Sequence, residues 1–482
     1  MRINKDLKRI LDISISLSNN SIHTHILENI LSYSMEISNC DGGTLYLYDE
    51  ENDNLRFFIM RNKTMNTYLG KDGEIINLPP VKVDSKSVSG YSAKFKELVN
   101  IDDVYSDSKF NWEGPKKYDK LNNYHTKAVL VIPLLGIDNE LLGIMQLLNP
   151  IDEKGEITSF NDDVIYIIKS LASLSAISIS NRKLYDEIKE LLDSFVKAMV
   201  KSIESRTPYN AFHTVNVSKL CSSFVDYLNE NGYKISANDK EQLVMSAMLH
   251  DIGKIIIPLN ILNKASRFEG KLEIMKMRWK YIKASIYNKY LLKEINKKNY
   301  ESEIKYLDDA TAFIISIDTK GFLDDDSLNK IKEIYKKEYI IDDNKYKIIE
   351  ESEIDDALIR KGTLTSEERL EIEKHVIYTN EILKEIKFGS KYNKVLEIAS
   401  NHHEYLDGSG YPNKLDAKKL DILNRIITIM DVYESLTSTD RPYKKPIPKD
   451  KALNILSEMV NEGKLDKELV EEFKKMQNRE NS

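Results

Sequence analysis

Two different hydrophobic periods run along this chain. Over residues 40–149 the apolar positions come in short runs broken by turn residues, as in Thr44-Leu45-Tyr46-Leu47-Tyr48, the turn at residues 49–54, and then Leu55, Phe57 and Ile59 at every second position. A period of two with turn residues between its runs predicts a hairpin. A second hairpin is predicted from residues 128–135 and 140–148, both rich in Val, Ile and Leu and joined by Gly136-Ile137-Asp138-Asn139. Helical patterns flank both pairs, so the N-terminal unit reads as α+β.

Beyond that unit the period changes to 3.6. Leu184, Ile188, Leu191, Phe195 and Met199 recur at spacings of three and four, which predicts a linker helix over residues 183–205. Such a stripe either packs on its own domain or pairs with a second copy of the chain. Leu243, Val244, Ala247 and Met248 predict a helix that ends at His250, with Gly253 as the stop signal. Thr365 and Glu368 form a capping box, after which Ile372, His375, Val376, Thr379 and Leu383 share one helical face. Helical runs follow at residues 395–401 and 425–433. Residues 265–360 are rich in Lys, Asp, Tyr and Ile with helical periodicity at 272–292 and 328–339, and read as a helical insertion.

Composition narrows the functional classes. At 482 residues, with 41% hydrophobic and 30% charged, the chain is a soluble multidomain protein of two or three folding units. The 70 basic and 77 acidic residues are interspersed and sum to -7, which argues against a surface for nucleic acid polymers. Cys40 and Cys221 are the only cysteines, so no disulfide framework is expected and a reducing, cytoplasmic setting is the default. The first twenty residues lack the apolar core of a signal peptide. The most apolar later stretch, residues 164–179, is interrupted by Lys169 and four serines, short of the ~20 apolar residues of a membrane span. No membrane anchor is expected.

The candidate chemistry lies in the histidines. Of eight, His23, His25 and His125 have no suggestive company and read as ordinary surface or core residues. His250 and Asp251 are adjacent and supply one neutral nitrogen and one carboxylate able to bridge two cations, a mixed donor set suited to Fe or Mn. An isolated pair of this kind is more often a solvated helix end. Lys254 changes that reading by adding a cation three residues on, where a bound phosphate would need one. His375 sits on an apolar helical face, where a lone histidine is usually a hydrogen-bonded core residue. The string His402-His403-Glu404-Tyr405-Leu406-Asp407-Gly408-Ser409-Gly410-Tyr411-Pro412 resists explanation by packing, because two neighbouring histidines run straight into a Gly-Ser-Gly turn that a planar substrate could approach. Asp431 interrupts an apolar helix and would be costly to bury without a cation.

These strings resemble the HD-GYP branch of the HD phosphohydrolases over roughly residues 189–460, within a domain expected at 189–482. The match is carried by His213 in Tyr209-Asn210-Ala211-Phe212-His213, His250-Asp251 with Lys254, His375, the His402 to Pro412 string and Asp431. Upstream, Gly90-Tyr91-Ser92-Ala93, residues 99–104, Leu130-Val131-Ile132-Pro133-Leu134 and Leu142-Gly143-Ile144-Met145-Gln146-Leu147-Leu148-Asn149 are similar to a GAF domain over residues 20–182. The expected architecture is therefore an N-terminal helix at 1–19, an α+β GAF-like sensor domain, the linker helix, and an all-α HD-GYP domain with its insertion at 265–360.

The resemblance implies hydrolysis of cyclic dimeric GMP to the linear dinucleotide and GMP. It assigns His213, His250, Asp251, His375, His402, His403 and Asp431 to metal ions, with Lys254 on the scissile phosphate. Gly408, Gly410, Tyr411, Pro412, Arg441 and Lys444 are implied as nucleotide contacts, and Asp251 and Lys254 as catalytic residues. A glutamate four residues before the first histidine adds a third metal in some members. Here that residue is Tyr209, so two divalent ions, Fe or Mn, are expected rather than three. A small ligand on the GAF-like domain and a homodimer complete the expectations. Two rivals remain: an HD hydrolase of another phosphoester, and a signal-binding module with little turnover.

Overall fold

The computed structural model describes residues 23–206, 212–438 and 446–479. The predicted helix at 1–19 lies outside these residues, as do Tyr209, Arg441 and Lys444. The chain divides into two compact units, Met1–Leu191 and Leu192–Ser482.

The first unit is built on one antiparallel sheet in the order β3-β2-β1-β7-β6-β5, from β1 (Cys40–Asp49), β2 (Asn54–Asn62), β3 (Thr67–Leu69), β5 (Val99–Ile101), β6 (Val129–Leu135) and β7 (Leu141–Pro150). A further short strand, β4 (Val81–Lys82), pairs with β2. The two predicted hairpins are β1–β2 and β6–β7, and they meet along β1 and β7, where Leu45 faces Met145. Strand alternation then sorts side chains to two faces. Leu45, Ile59, Leu130 and Met145 pack under Ile30 and Leu31 of the helix His23–Ile37 and under Ile168 and Leu171. Tyr46, Val129, Val131 and Ile144 point the other way and meet Val88, Phe110 and Trp112. Both faces are covered, so the period of two separates two cores rather than core from solvent.

Cys40 is fully buried at the start of β1, and burial pushes its thiol up to about 11, so it is a packed side chain rather than a reactive one. Cys221 is equally buried in the second unit.

The sequence suggests a linker helix that begins near residue 183. Instead one helix runs from Asp162 to Glu204 without interruption. It contains no Gly or Pro, so nothing in it stops the helix once it has started. Taken whole, this helix is long and apolar enough to cross a membrane by length and composition, which residues 164–179 alone are not. Its early turns serve the sheet: Ile165, Ile168, Leu171, Ala172 and Ala176 belong to the core, while Lys169, Ser170 and Ser173 face out.

In the second unit, the helices His213–Glu230, Ala237–Leu249, Ile422–Thr437, Lys449–Asn461 and Lys467–Arg479 converge on Phe224, Leu228, Leu243, Ile426, Ile427, Leu456 and Phe473. Local signals fix their starts. Ser236 accepts a hydrogen bond from the Asp239 amide, and Asp421 accepts from the Leu423 and Asn424 amides. The Thr365–Glu368 capping box forms as well and opens the helix Ser366–Glu373. A smaller core of Leu249, Ile252, Leu383, Val395 and Ala399 lies beneath the helices that carry the candidate ligands.

The insertion folds on a core of its own, made by Phe268, Met275, Trp279, Ile282, Ile314, Ile331 and Ile348 among others. It is not wholly helical. After the helix Asp325–Lys336 comes a hairpin, β8 (Glu338–Ile341) with β9 (Asn344–Lys347). The connection is Asp342-Asp343, both at positive φ, as a two-residue turn between twisted strands demands. At the neck, Arg267 is fully buried and donates to the Ile317, Lys320 and Ile359 carbonyls, tying the start, middle and end of the insertion. Beside it, Lys264 binds Asp356 at 2.7 Å and Glu368 at 2.7 Å, and Lys271 binds the other Asp356 oxygen at 2.7 Å.

Candidate metal centre

Three of the candidate histidines stand in one local geometry. His250 closes the helix Ala237–Leu249 and its Nδ1–H donates to the Ala247 carbonyl at 2.7 Å. His402 does the same with Ala399, at 2.7 Å, after the helix Val395–Ser400. His375 does so with Ile372, at 2.7 Å, where the helices Ser366–Glu373 and His375–Lys384 join. In each ring the carbonyl three residues back fixes the proton on Nδ1, so the neutral ring presents a bare Nε2 to the interior.

Those Nε2 atoms converge. His375 and His402 face each other at 3.3 Å, Nε2 to Nε2, and neither has a proton to offer the other. The Nε2 of His250 is buried with no hydrogen-bond partner. Asp251 lies between the groups: one oxygen is 3.4 Å from His250 Nε2 and 3.6 Å from His213 Nε2, and the other is 3.4 Å from His375 Nε2. Asp431 stands 3.1 Å from His213, 3.8 Å from His250 and 3.8 Å from His403. Two clusters of donor atoms result, His213-His250-Asp251 and His375-His402-His403. Opposed lone pairs, an orphaned buried nitrogen and two buried carboxylates are the donor set that divalent cations satisfy. The residues present fit metal ions.

Electrostatics agree for His375, His402 and His403. Burial holds His375 down to about 3 and His402 well below the usual range, and desolvation in the cleft, with neighbouring charge, brings His403 to about 4. All three are neutral donors at physiological pH. Burial disfavours ionised Asp251 and Asp431, but Lys254 beside the first and His213 beside the second outweigh it and keep both carboxylates charged. Burial likewise opposes charge on His213, yet its bonds to Asp431 and Glu434 raise it to about 9.

Lys254 lies on the short 3-10 turn Ile252–Ile255, with Nζ 2.5 Å from Asp251 and the side chain 16% exposed. Gly253 is required here, since a Cβ would lie 1.9 Å from the His375 carbonyl oxygen. Its amide donates to Thr379 Oγ1, which donates to the His250 carbonyl, so Thr379 stitches the two histidine-bearing segments.

The loop after His403 folds back on itself. Buried Glu404 accepts from the Asn413 amide at 2.6 Å and the Leu415 amide at 2.9 Å, and Asp407 accepts from the Ser409 amide and hydroxyl. Gly408 adopts φ +75, and a Cβ on Gly410 would lie 2.5 Å from the backbone of His403, Glu404 and Tyr405. The Gly-Ser-Gly turn is thus needed by the chain's own backbone. Tyr411 is brought beside the site, its ring 4.8 Å from that of His403, and Pro412 follows it in the loop.

The structure therefore gathers His213, His250, Asp251, Lys254, His375, His402, His403 and Asp431, with the Gly408 to Pro412 loop at their edge. His125 stands apart, stacked on Tyr105 in the first unit. His25 lies 3.6 Å from both Glu28 and Asp72, forming a third, largely exposed acidic and histidine group. Two residues absent from the sequence reading, Asn216 and Glu434, reach into the site. Their signal was spacing: each falls three residues after a candidate ligand on the same helix.

Comparison with known proteins agrees with this layout. Residues 23–179 match the family model described as GAF domain, and residues 211–331 and 352–469 match two models described as HD domain. The 3'3'-cGAMP-specific phosphodiesterase 3 of Vibrio cholerae is 36% identical over 104 residues, 22% of this chain and 22% of that protein. A cyclic di-GMP phosphodiesterase of Thermotoga maritima is 34% identical over 129 residues, 26% of this chain and 33% of that protein. The chain thus spans a third or less of the length of these curated relatives. Among solved structures, the GAF domain from an Acinetobacter phosphoenolpyruvate-protein phosphotransferase is 12% identical with a TM-score of 0.29, covering 38% of this chain and 98% of that one. The chain joins a GAF domain to an HD domain of the HD-GYP type, and belongs with the GAF-HD proteins.

Proposed function

We propose that the HD unit hydrolyses a phosphodiester of a cyclic dinucleotide, using two divalent ions. The observation that carries this reading is the meeting of three bare Nε2 atoms with Asp251 and Asp431 beside one lysine. His213, His250 and Asp431 would hold one ion, His375, His402 and His403 the other, and Asp251 offers one oxygen to each group. Fe or Mn suits these mixed nitrogen and oxygen donors. When bound, such ions supply Lewis acidity toward a phosphoryl oxygen and toward water.

The chain's own residues then do the rest. Asp251 and Asp431 stay ionised and fix the charge of the floor. Lys254, on the open side of Asp251, meets negative charge as it develops on the non-bridging phosphate oxygens. The loop from Gly408 to Pro412, with Tyr411 against His403, forms one wall for the nucleotide. Arg441 and Lys444, outside the described residues, are proposed as its further cationic contacts.

Cyclic dimeric GMP, cut to the linear dinucleotide and GMP, is the proposed substrate. The names of the relatives favour a second reading, 3'3'-cGAMP, because the metal ligands do not read the bases. Turnover of each by Mn-loaded protein separates the two. If both survive while another phosphoester is cut, the substrate claim falls. Lys254→Met is expected to keep its metal and lose roughly 10²–10³ in turnover. Metal-replete Lys254→Met protein with undiminished rate would remove Lys254 from the chemistry.

The GAF domain is proposed to regulate this site through a small ligand, and two buried free thiols fit a cytoplasmic setting. We also propose a homodimer. On the helix Asp162–Glu204, Leu184, Ile188 and Leu191 are 53%, 64% and 71% exposed at coiled-coil spacing, a stripe that a second copy would match with its own. Ile188→Glu with Leu191→Glu is expected to halve the mass seen by light scattering. An unchanged mass would place any dimer contact elsewhere.

A further inference from the structure

His213 differs from the other candidate ligands in how its ring is held. His250, His375 and His402 each follow a helical turn, and the carbonyl three residues back takes the Nδ1 proton. His213 is the first residue of its helix, preceded by the turn residue Phe212, and its Nδ1 is bonded to a side chain, Glu434. The other oxygen of Glu434 accepts from Asn216 Nδ2 at 3.0 Å. Glu434 is 4% exposed, so the carboxylate is buried and both of its oxygens are used.

The four residues form a square. His213 and Asn216 lie three apart on the helix His213–Glu230, and Asp431 and Glu434 lie three apart on the helix Ile422–Thr437. His213 Nε2 meets Asp431 while His213 Nδ1 meets Glu434. We infer that Glu434, held by Asn216, is a positioning residue that fixes the tautomer and ring plane of His213, so that Nε2 faces the cation site shared with His250 and Asp251. This rests on the metal reading above but not on any choice of substrate.

The physical reason is general: a ligating imidazole must carry its proton on the far nitrogen, and the partner of that proton sets both ring orientation and donor strength. Three histidines obtain that partner from a helix backbone. His213, the first residue of its helix, takes that partner from the Glu434 carboxylate. Behind Glu434 lies an open cavity of about 520 Å³, lined by Phe212, Asn216, Lys219, Tyr433 and Thr437 among the described residues. A small carboxylate could enter there if the Glu434 side chain were removed.

The test is Mn²⁺ titration of the full chain, wild type against Glu434→Ala and Glu434→Gln, with and without added acetate. Glu434→Ala is expected to weaken one class of Mn²⁺ site roughly 10–100-fold and leave the other intact. Glu434→Gln, which keeps an oxygen to accept the Nδ1 proton, should recover most of that loss, and so should acetate with the alanine variant. Wild-type affinity in Glu434→Ala overturns the inference. So does a loss that neither glutamine nor acetate repairs and that tracks a lowered melting temperature of the metal-free protein, since that marks a structural role only. If the wild type itself takes up no Mn²⁺, the metal reading falls with it. If Mn²⁺ binds as described but no cyclic dinucleotide is cut, the substrate reading alone falls.

Discussion

Asp251→Asn is expected to abolish phosphodiester hydrolysis and to strip both candidate cation groups, while the helical content of the chain stays as it was. The effect should exceed the roughly 10–100-fold that losing a ligand's hydrogen-bond partner costs, because Asp251 itself faces both groups, one oxygen toward His213 and His250 and the other toward His375. Asparagine keeps the shape but cannot offer two charged oxygens, and it leaves Lys254 without the carboxylate it now contacts. Metal analysis and circular dichroism on the same sample check the result. Full metal content in the variant would show that Asp251 does not bridge the two groups.

Arg267→Met is expected to loosen the insertion without touching the metal centre. The guanidinium is the donor to three carbonyls, those of Ile317, Lys320 and Ile359, in a place closed to water. The Ile317 carbonyl also accepts from the Lys320 amide, so the Lys320 and Ile359 carbonyls lose their donor, and at about 1–3 kcal/mol each the change should remove about 2–6 kcal/mol from the insertion's own stability. Methionine retains the aliphatic stem, which separates lost hydrogen bonds from lost packing. Limited proteolysis should then cut within residues 265–360, with Mn²⁺ binding unaltered. A digestion pattern like that of the wild type would mean that the apolar core of Phe268, Trp279 and Ile314 holds the insertion alone.

What could be read from the sequence follows from how local each signal is. His250-Asp251 and the His402 to Pro412 string are short and contiguous, so neighbours in the chain are neighbours in the site. The hairpins around Leu45 and Leu130 were legible because strand alternation survives even when both faces are buried. Glu434 was not, since a glutamate on a helix reads as solvated until the partner, His213 on another helix, is known. The hairpin at Asp342-Asp343 was hidden by the helical period just before it, and only the paired positive-φ aspartates mark the turn. The uninterrupted helix from Asp162 to Glu204 was legible in principle, because no Gly or Pro breaks it.

The neck of the insertion bears on how the HD unit can assemble at all. The segment that carries Asp251 and Lys254 and the segment that carries His375 are separated in the chain by residues 265–360, yet Lys264 and Glu368 join them at 2.7 Å. For a folding chain, closing so long a detour costs entropy that rises only with the logarithm of its length, about 0.6 kcal/mol per doubling. The detour also ceases to be a loose loop once its own core and Arg267 have closed. To the rest of the HD unit it then behaves as a short connection, and the two halves of the site meet as though they were near neighbours in sequence.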